Sequence, residues 1–281
     1  MAKIDLEFRE ILETVLTQGI EYTNERRNVK RLQIPSYTFR HDFEDGFPAL
    51  GLKKLPFKTV VAELCWFLRG ENTLDFLHKH NCHIWDSDAK NWENKTGEKN
   101  SVGQNYSKQW RDYGGKVDQI DILIDGMIKD IMSSRLKVEA WNPLELDDTA
   151  LPPCHTGFQI IGVPLSTGEF GFELHWNQRS VDLFLGLPFN IASYGILAKI
   201  LENITGYKAL SIQGDLKCVH LYDNSVIAAQ SLIFKEDNFA AVELEIASDL
   251  WGEDLDPINF RLIGYESHEA VKVEMIAPKS I

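Results

Sequence analysis

The sequence predicts an α+β fold: a single domain with a central mixed β-sheet flanked by helices. Three observations carry this expectation. Strand-like runs follow one another at "LKVEAWN" (136–142), "GFQIIGVPL" (157–165) and "EFGFELHWNQRS" (169–180), where alternation and aromatic residues dominate. Amphipathic helical patterns precede and follow them. No internal repeat, low-complexity linker or composition break divides the chain, so one domain over 1–281 is expected. With 281 residues, 44% of them hydrophobic, the chain is long enough to bury a substantial core.

Residues 5–19 open as a helix, because Leu6, Ile11, Leu12, Val15 and Leu16 fall near helical spacing and Gly19 supplies the stop. Its apolar face is expected on the sheet. "TVVAELCWFLRG" (59–70) is a nearly all-apolar helix ended by Gly70, which belongs in the middle of the protein, and "TLDFLHKHN" (73–81) is a second helical pattern. Residues 86–113 are polar and rich in Asn, Lys and Gly, and read as a long surface excursion of the kind that covers active sites. A helix in "VDQIDILIDGMIKDIMSS" (117–134) leads into the strand runs. "PFNIASYGILAKILENITG" (188–206) is a long helix with Pro188 near its first turn and Gly206 just past its end. From 210 onward strands and turns mix.

Composition excludes some classes of function. A formal net charge of −13 repels nucleic acid and anionic membrane, so any phosphate site must be a local cluster of Arg and Lys serving a small anion. Cys65, Cys82, Cys154 and Cys218 lie far apart without a CxxC pair, which fits a reduced, cytoplasmic protein with no disulfide framework. The acidic, amphipathic N-terminus is wrong for a secretory signal, and no apolar run approaches a membrane span.

Cys154 follows two prolines in "LPPCHTGFQIIG". A thiol becomes a nucleophile when positive charge stabilises its thiolate, and Arg179 and Arg135 are possible partners; the alternative is a small buried residue where a loop enters the core. His155 adds little, since neighbours on a strand point to opposite faces. The Cys and His neighbours at 82, 154 and 218 lack the paired spacing of a zinc site, and no metal is expected. Glu63 is a carboxylate inside an apolar helix, so it sits either at a wet edge or in a polar cavity where its pKa rises for acid–base work. The run "QRSVDLFLGLPFN" (178–190) gathers Arg179, Ser180, Asp182 and Asn190 ahead of a helix. That suits an anion and a planar heterocycle, or simply a strand end and helix cap.

Read together, "DGFP", "ELCWFLRGENT", "HIWD", "YSKQWRDY", "AWNPLELDDTALPPCH", "NQRSVDLFLGLPFNIASYGILAKI" and "GD…HLY" occur in the order and rough spacing of the thymidylate synthase family, which the chain resembles over nearly its whole length. The resemblance implies that Cys154 adds to carbon 6 of dUMP, so that carbon 5 can attack the one-carbon unit of 5,10-methylene-tetrahydrofolate. It also implies that Glu63 manages proton transfers and that Tyr106 helps remove the carbon 5 proton. Asn190 would read the uracil edge, with Asp182 also in the catalytic set. His220 and Tyr222 would hold the sugar hydroxyl, Arg26, Arg179 and Ser180 the phosphate, and Gln159 would join this substrate-binding set. Lys53, Trp85, Asp182 and Gly186 fall on the folate side. Arg135 would reach the phosphate of a neighbouring subunit, making the active unit a homodimer.

Five places depart from the family pattern, one of them being "GDLKCVHLY", which is longer than usual between "GD" and "HLY". "RRNVKRLQIP" keeps Arg26 but loses the glycines expected after it, and Ser134 stands where a second partner arginine is expected, leaving Arg27, Lys30 or Arg31 as replacements. Asp88 takes the place of a second tryptophan, and the tail runs on by "PKSI". The last two bear on whether the exocyclic methylene left on the ring takes hydride, giving dTMP, or water, giving the hydroxymethyl nucleotide of related hydroxymethylases. Asn190 favours uracil over cytosine in either case. A non-catalytic nucleotide- or RNA-binding homologue is the third alternative.

Overall fold

The computed structural model describes residues 2–24, 29–236, 238–247 and 250–273. The first helix, α1 (Lys3–Gln18), buries Phe8, Ile11, Leu12 and Val15 and packs on the sheet as its periodicity requires. It feeds a hairpin, β1 (Ile20–Asn24) and β2 (Val29–Asp42), which the sequence did not signal. The apolar helix α2 (Phe57–Leu68) lies in the core, and α3 (Asp75–Lys79) follows it.

The polar stretch 86–113 is not a structureless excursion. It contains α4 (Asp86–Thr96) and α5 (Tyr106–Arg111), pinned by a few buried side chains: Ala89 and Trp92 in the first, Tyr106, Gln109 and Trp110 in the second. Gly97, at φ 84°, ends α4 in the left-handed conformation glycine adopts freely. Composition hid these helices because their stability comes from tertiary packing of a narrow apolar stripe.

Next come α6 (Gln119–Lys129), β3 (Lys137–Glu139), β4 (His155–Pro164), β5 (Phe170–Gln178) and β6 (Val181–Asp182). The long helix α7 (Gly186–Thr205) is followed by the 15-residue strand β7 (Lys208–Tyr222). A helix absent from the sequence reading, α8 (Asp223–Ile233), and a small hairpin of β8 (Glu243–Ile246) and β9 (Phe260–Ile263) complete the described residues.

The described strands form a seven-stranded mixed sheet in the order β1-β2-β7-β5-β4-β3, with β6 beside β7. The β5/β7 and β6/β7 pairs are parallel and the others antiparallel. Register separates its two faces. Phe39, Gly214, Trp176, Phe158 and Val138 stand opposite one another across five strands and point into the helical layer. The next row, Arg40, Gln213, His175, Gln159 and Lys137, points the other way, because strand side chains alternate. Among the described residues no helix is long and apolar enough to cross a membrane.

Candidate active site

A cavity of about 290 Å³ opens where β5, β6 and β7 meet the start of α7 and the side of α2. Its chemistry begins with α2, where Glu63 and Phe67 sit one turn apart on the same face and both line the cavity. The Glu63 carboxylate accepts a hydrogen bond from Trp85 Nε1 at 2.8 Å. Burial pushes this carboxyl up to about 7, while the Trp85 hydrogen bond works in the opposite direction. Of the two positions open to Glu63, the structure shows it lining a cavity, one with both apolar and polar lining residues.

Cys154 and His155 both line the cavity, against the expectation from alternation. Cys154 precedes β4, and the ladder between β4 and β5 shifts register between His155 and Gly157; such an irregularity re-aims the side chains around it. The Cys154 loop is fixed from two sides. Its backbone N–H donates to Tyr106 Oη at 2.7 Å, and its carbonyl accepts from Arg179 N at 2.8 Å. The Arg179 guanidinium donates to the Pro153 carbonyl at 2.7 Å and the Pro152 carbonyl at 2.9 Å, and stacks 5.1 Å from the Trp141 ring. Arg179 therefore clamps the nucleophile candidate's loop from outside the cavity lining.

His155 is buried, stacked on Tyr106 with ring centroids 4.2 Å apart, and its Nδ1 lies 3.1 Å from Tyr194 Oη. Desolvation pushes its pKa down to about 3, which keeps the ring neutral. Burial drives the Tyr106 phenol well above its usual value, so it stays protonated.

A donor–acceptor chain sets the direction of Asn190. Trp176 Nε1, which can only donate, donates a hydrogen bond to Gln178 Oε1 at 3.2 Å. Gln178 Nε2 must then donate, and it does so to Asn190 Oδ1 at 3.0 Å and the Ser180 carbonyl at 3.2 Å. Asn190 is left with its amide N–H groups and a second Oδ1 lone pair for a ligand. Gln178 lines the cavity and was missed by sequence reasoning. Its parity with the buried Phe172, Leu174 and Trp176 was the available signal, since a glutamine closing a buried row needs a polar partner.

Asp182 Oδ1 accepts from the Phe184 and Leu185 amides, both at 3.1 Å, and so shapes the turn into α7, whose first residues present Gly186 and Asn190 to the cavity. Beside it on β7, His220 Nδ1 lies 2.7 Å from the Cys218 carbonyl. A carbonyl only accepts, so Nδ1 carries the proton and a neutral ring keeps Nε2 as an acceptor. Tyr222 packs edge-on against His220 at 4.9 Å, and Ser180 completes this polar end. Ile84, Trp85, Leu151, Leu185 and Phe189 form the apolar part of the lining, which Asp88 shares.

The remaining candidates lie outside this lining. Lys53 donates to the Phe184 carbonyl behind Asp182, and burial pushes its pKa down to about 8 against the pull of that carboxylate. Gln159 stands on the opposite face of the sheet, bonded to the Ser134 carbonyl at 3.1 Å, and Arg135 is exposed just ahead of β3. Lys30 pairs with Glu21 at 3.1 Å, and Arg31 lies over the Tyr22 ring on the strand beside Tyr222. Arg26, Arg27 and the "PKSI" tail lie outside the described residues.

The arrangement thus pairs a thiol with a protonatable carboxylate, a directed amide and an apolar wall. A model of the family described as thymidylate synthase matches residues 6–277. That match takes in the cavity and every strand of the sheet, and the chain belongs to the thymidylate synthase family.

Proposed function

We propose that this chain transfers a one-carbon unit from 5,10-methylene-tetrahydrofolate to carbon 5 of dUMP through a covalent Cys154 adduct, giving dTMP. The observation that carries the reading is the meeting of Cys154, Glu63 and Asn190 in one cavity, from α2, the β4 entry and α7. Carbon 5 of uracil is a weak nucleophile. A Cys154 thiolate adding to carbon 6 moves the electron pair of the ring double bond toward carbon 5 and the carbon 4 oxygen. The directed Asn190 amide donates to that oxygen and accepts from the ring N–H, while Glu63, with its raised pKa, exchanges protons with the same region. Tyr106, held against Cys154, takes part in removing the carbon 5 proton.

His220 and Tyr222 hold the sugar hydroxyl, and Arg26, Arg179 and Ser180 the phosphate. The apolar wall of Ile84, Trp85, Leu185 and Phe189 fits a planar pterin, with Asp182 and Gly186 at its edge and Lys53 behind. Methylene-tetrahydrofolate supplies the one-carbon unit and, for a methyl product, the hydride. Arg135, exposed and away from its own cavity, supports a homodimer in which it serves the partner's phosphate.

A second reading, a dUMP hydroxymethylase, is favoured by one observation: Asp88 adds a carboxylate to the cavity lining, where water is more easily retained. Incubation with 5-fluoro-dUMP and methylene-tetrahydrofolate is expected to trap a covalent ternary complex that Cys154→Ala abolishes. Absence of that complex in the parent chain defeats the enzyme reading. With dUMP, dihydrofolate and dTMP support the synthase, whereas hydroxymethyl-dUMP with tetrahydrofolate supports the alternative.

A further inference from the structure

We infer that His78, His83 and Asp86 form a surface site for a divalent transition-metal ion, with zinc as the expected occupant. His78 lies near the end of α3, His83 in the following turn, and Asp86 is the first residue of α4. The turn brings His78 Nε2 to 2.8 Å from Asp86 Oδ1 and His83 Nδ1 to 3.0 Å from Asp86 Oδ2. All three ligand atoms lie within 4.8 Å of one another, and the two imidazoles stack with centroids 5.1 Å apart. A tetrahedral zinc ion separates its ligand atoms by about 3.3 Å, so small ring movements admit the metal in place of the two hydrogen bonds.

Two imidazoles and one carboxylate suit zinc, nickel or copper better than magnesium or calcium, which prefer all-oxygen sets. All three residues are exposed, so the remaining coordination positions are open to water. The ligands come from two helices and the turn between them, at spacings unlike the paired ligands of a finger, which is why the sequence did not display them.

The site stands apart from the catalytic cavity, and no proposed step uses it. Its position still matters, because His83 and Asp86 bracket Ile84 and Trp85, two residues of the apolar wall, and Trp85 holds Glu63. A metal here ties α3 to α4 and steadies that wall.

Calorimetric titration of the EDTA-stripped full chain with zinc chloride tests the inference. One equivalent is expected, with affinity on the order of micromolar for an exposed three-ligand site. His78→Ala and His83→Ala should each weaken it at least about tenfold, while His80→Ala leaves it within about twofold. Thermal unfolding in EDTA checks that each variant folds, and His78→Gln replaces His78→Ala if that one does not. The cobalt-loaded protein should lack a thiolate charge-transfer band, since no cysteine is a ligand. No saturable uptake up to about 100 μM zinc, undiminished uptake by the His78→Ala/His83→Ala double variant, or displacement by millimolar magnesium would each overturn the proposal.

Discussion

At the scale of single residues, two positions sit in conditions that proteins normally avoid. Glu63 keeps its proton in the native cavity up to about pH 7, whereas the unfolded chain releases it above about 4.5. Between those values the native state binds more protons than the unfolded state, so this group's contribution to stability falls as pH rises from 4.5 to 7. Glu63→Gln removes that loss. Its unfolding free energy from urea denaturation should match the parent near pH 4.5 and exceed it at pH 8 by about 1–3 kcal/mol, while turnover falls at least about 100-fold. Glu7, also raised to about 7 by burial, is present in both proteins and cancels in the comparison. Cys218 is the second case. It sits within β7 at φ 48°, a conformation costing a non-glycine residue about 1–2 kcal/mol. Cys218→Gly should stabilise the protein by about 0.5–1 kcal/mol once glycine's entropy is counted, and chemical denaturation reads this directly. The His220 contact uses the Cys218 backbone carbonyl, so it survives the change.

At the scale of elements, the direction of Asn190 depends on a contact between two strands. Gly214 on β7 leaves room for the Trp176 indole on β5; a Cβ there would come within 2.4 Å of Trp176 Cζ2. Tyr194 of α7 stacks on the same indole at 4.9 Å, so the ring is held between sheet and helix. Gly214→Ala must tilt the indole, and the chain through Gln178 to Asn190 moves with it. The expected result is a loss of about 1–3 kcal/mol in stability and a KM for the nucleotide raised more than the KM for folate, measured by thermal unfolding and initial rates. Equal rises in both would break the link from Trp176 to Asn190.

At the scale of the whole molecule, the helices cover one face of the sheet and leave the Arg40, Gln213, His175 and Gln159 row on the other. That row carries a bidentate pair, Arg40 with Glu173 at 2.8 and 3.0 Å, which holds the Glu173 carboxyl down to about 2. Among the described residues no helix covers that second face, and this, with an arginine outside its own cavity, supports the proposed homodimer. Specific activity should therefore fall as the protein is diluted toward nanomolar concentration, in step with the dimer fraction from analytical ultracentrifugation. A monomer of full specific activity would contradict it.

The sequence by itself determined the α+β class, the long helices it placed at 5–19 and 188–206, which the structure bounds at 3–18 and 186–205, and the reactive candidates, because periodicity and motif residues are local properties. It placed Cys154, Glu63, Tyr106, Asn190 and Asp182 together only through a family resemblance, since spacing along a chain does not report distance in space. The tertiary structure decided the rest. It folded the polar stretch 86–113 into helices by burying Trp92 and Trp110, and turned His155 into the cavity through a register shift. Gln178, rather than Gln159, came to the cavity because the buried parity of β5 ends there. These outcomes depend on which surfaces meet, a matter of packing between elements far apart in sequence.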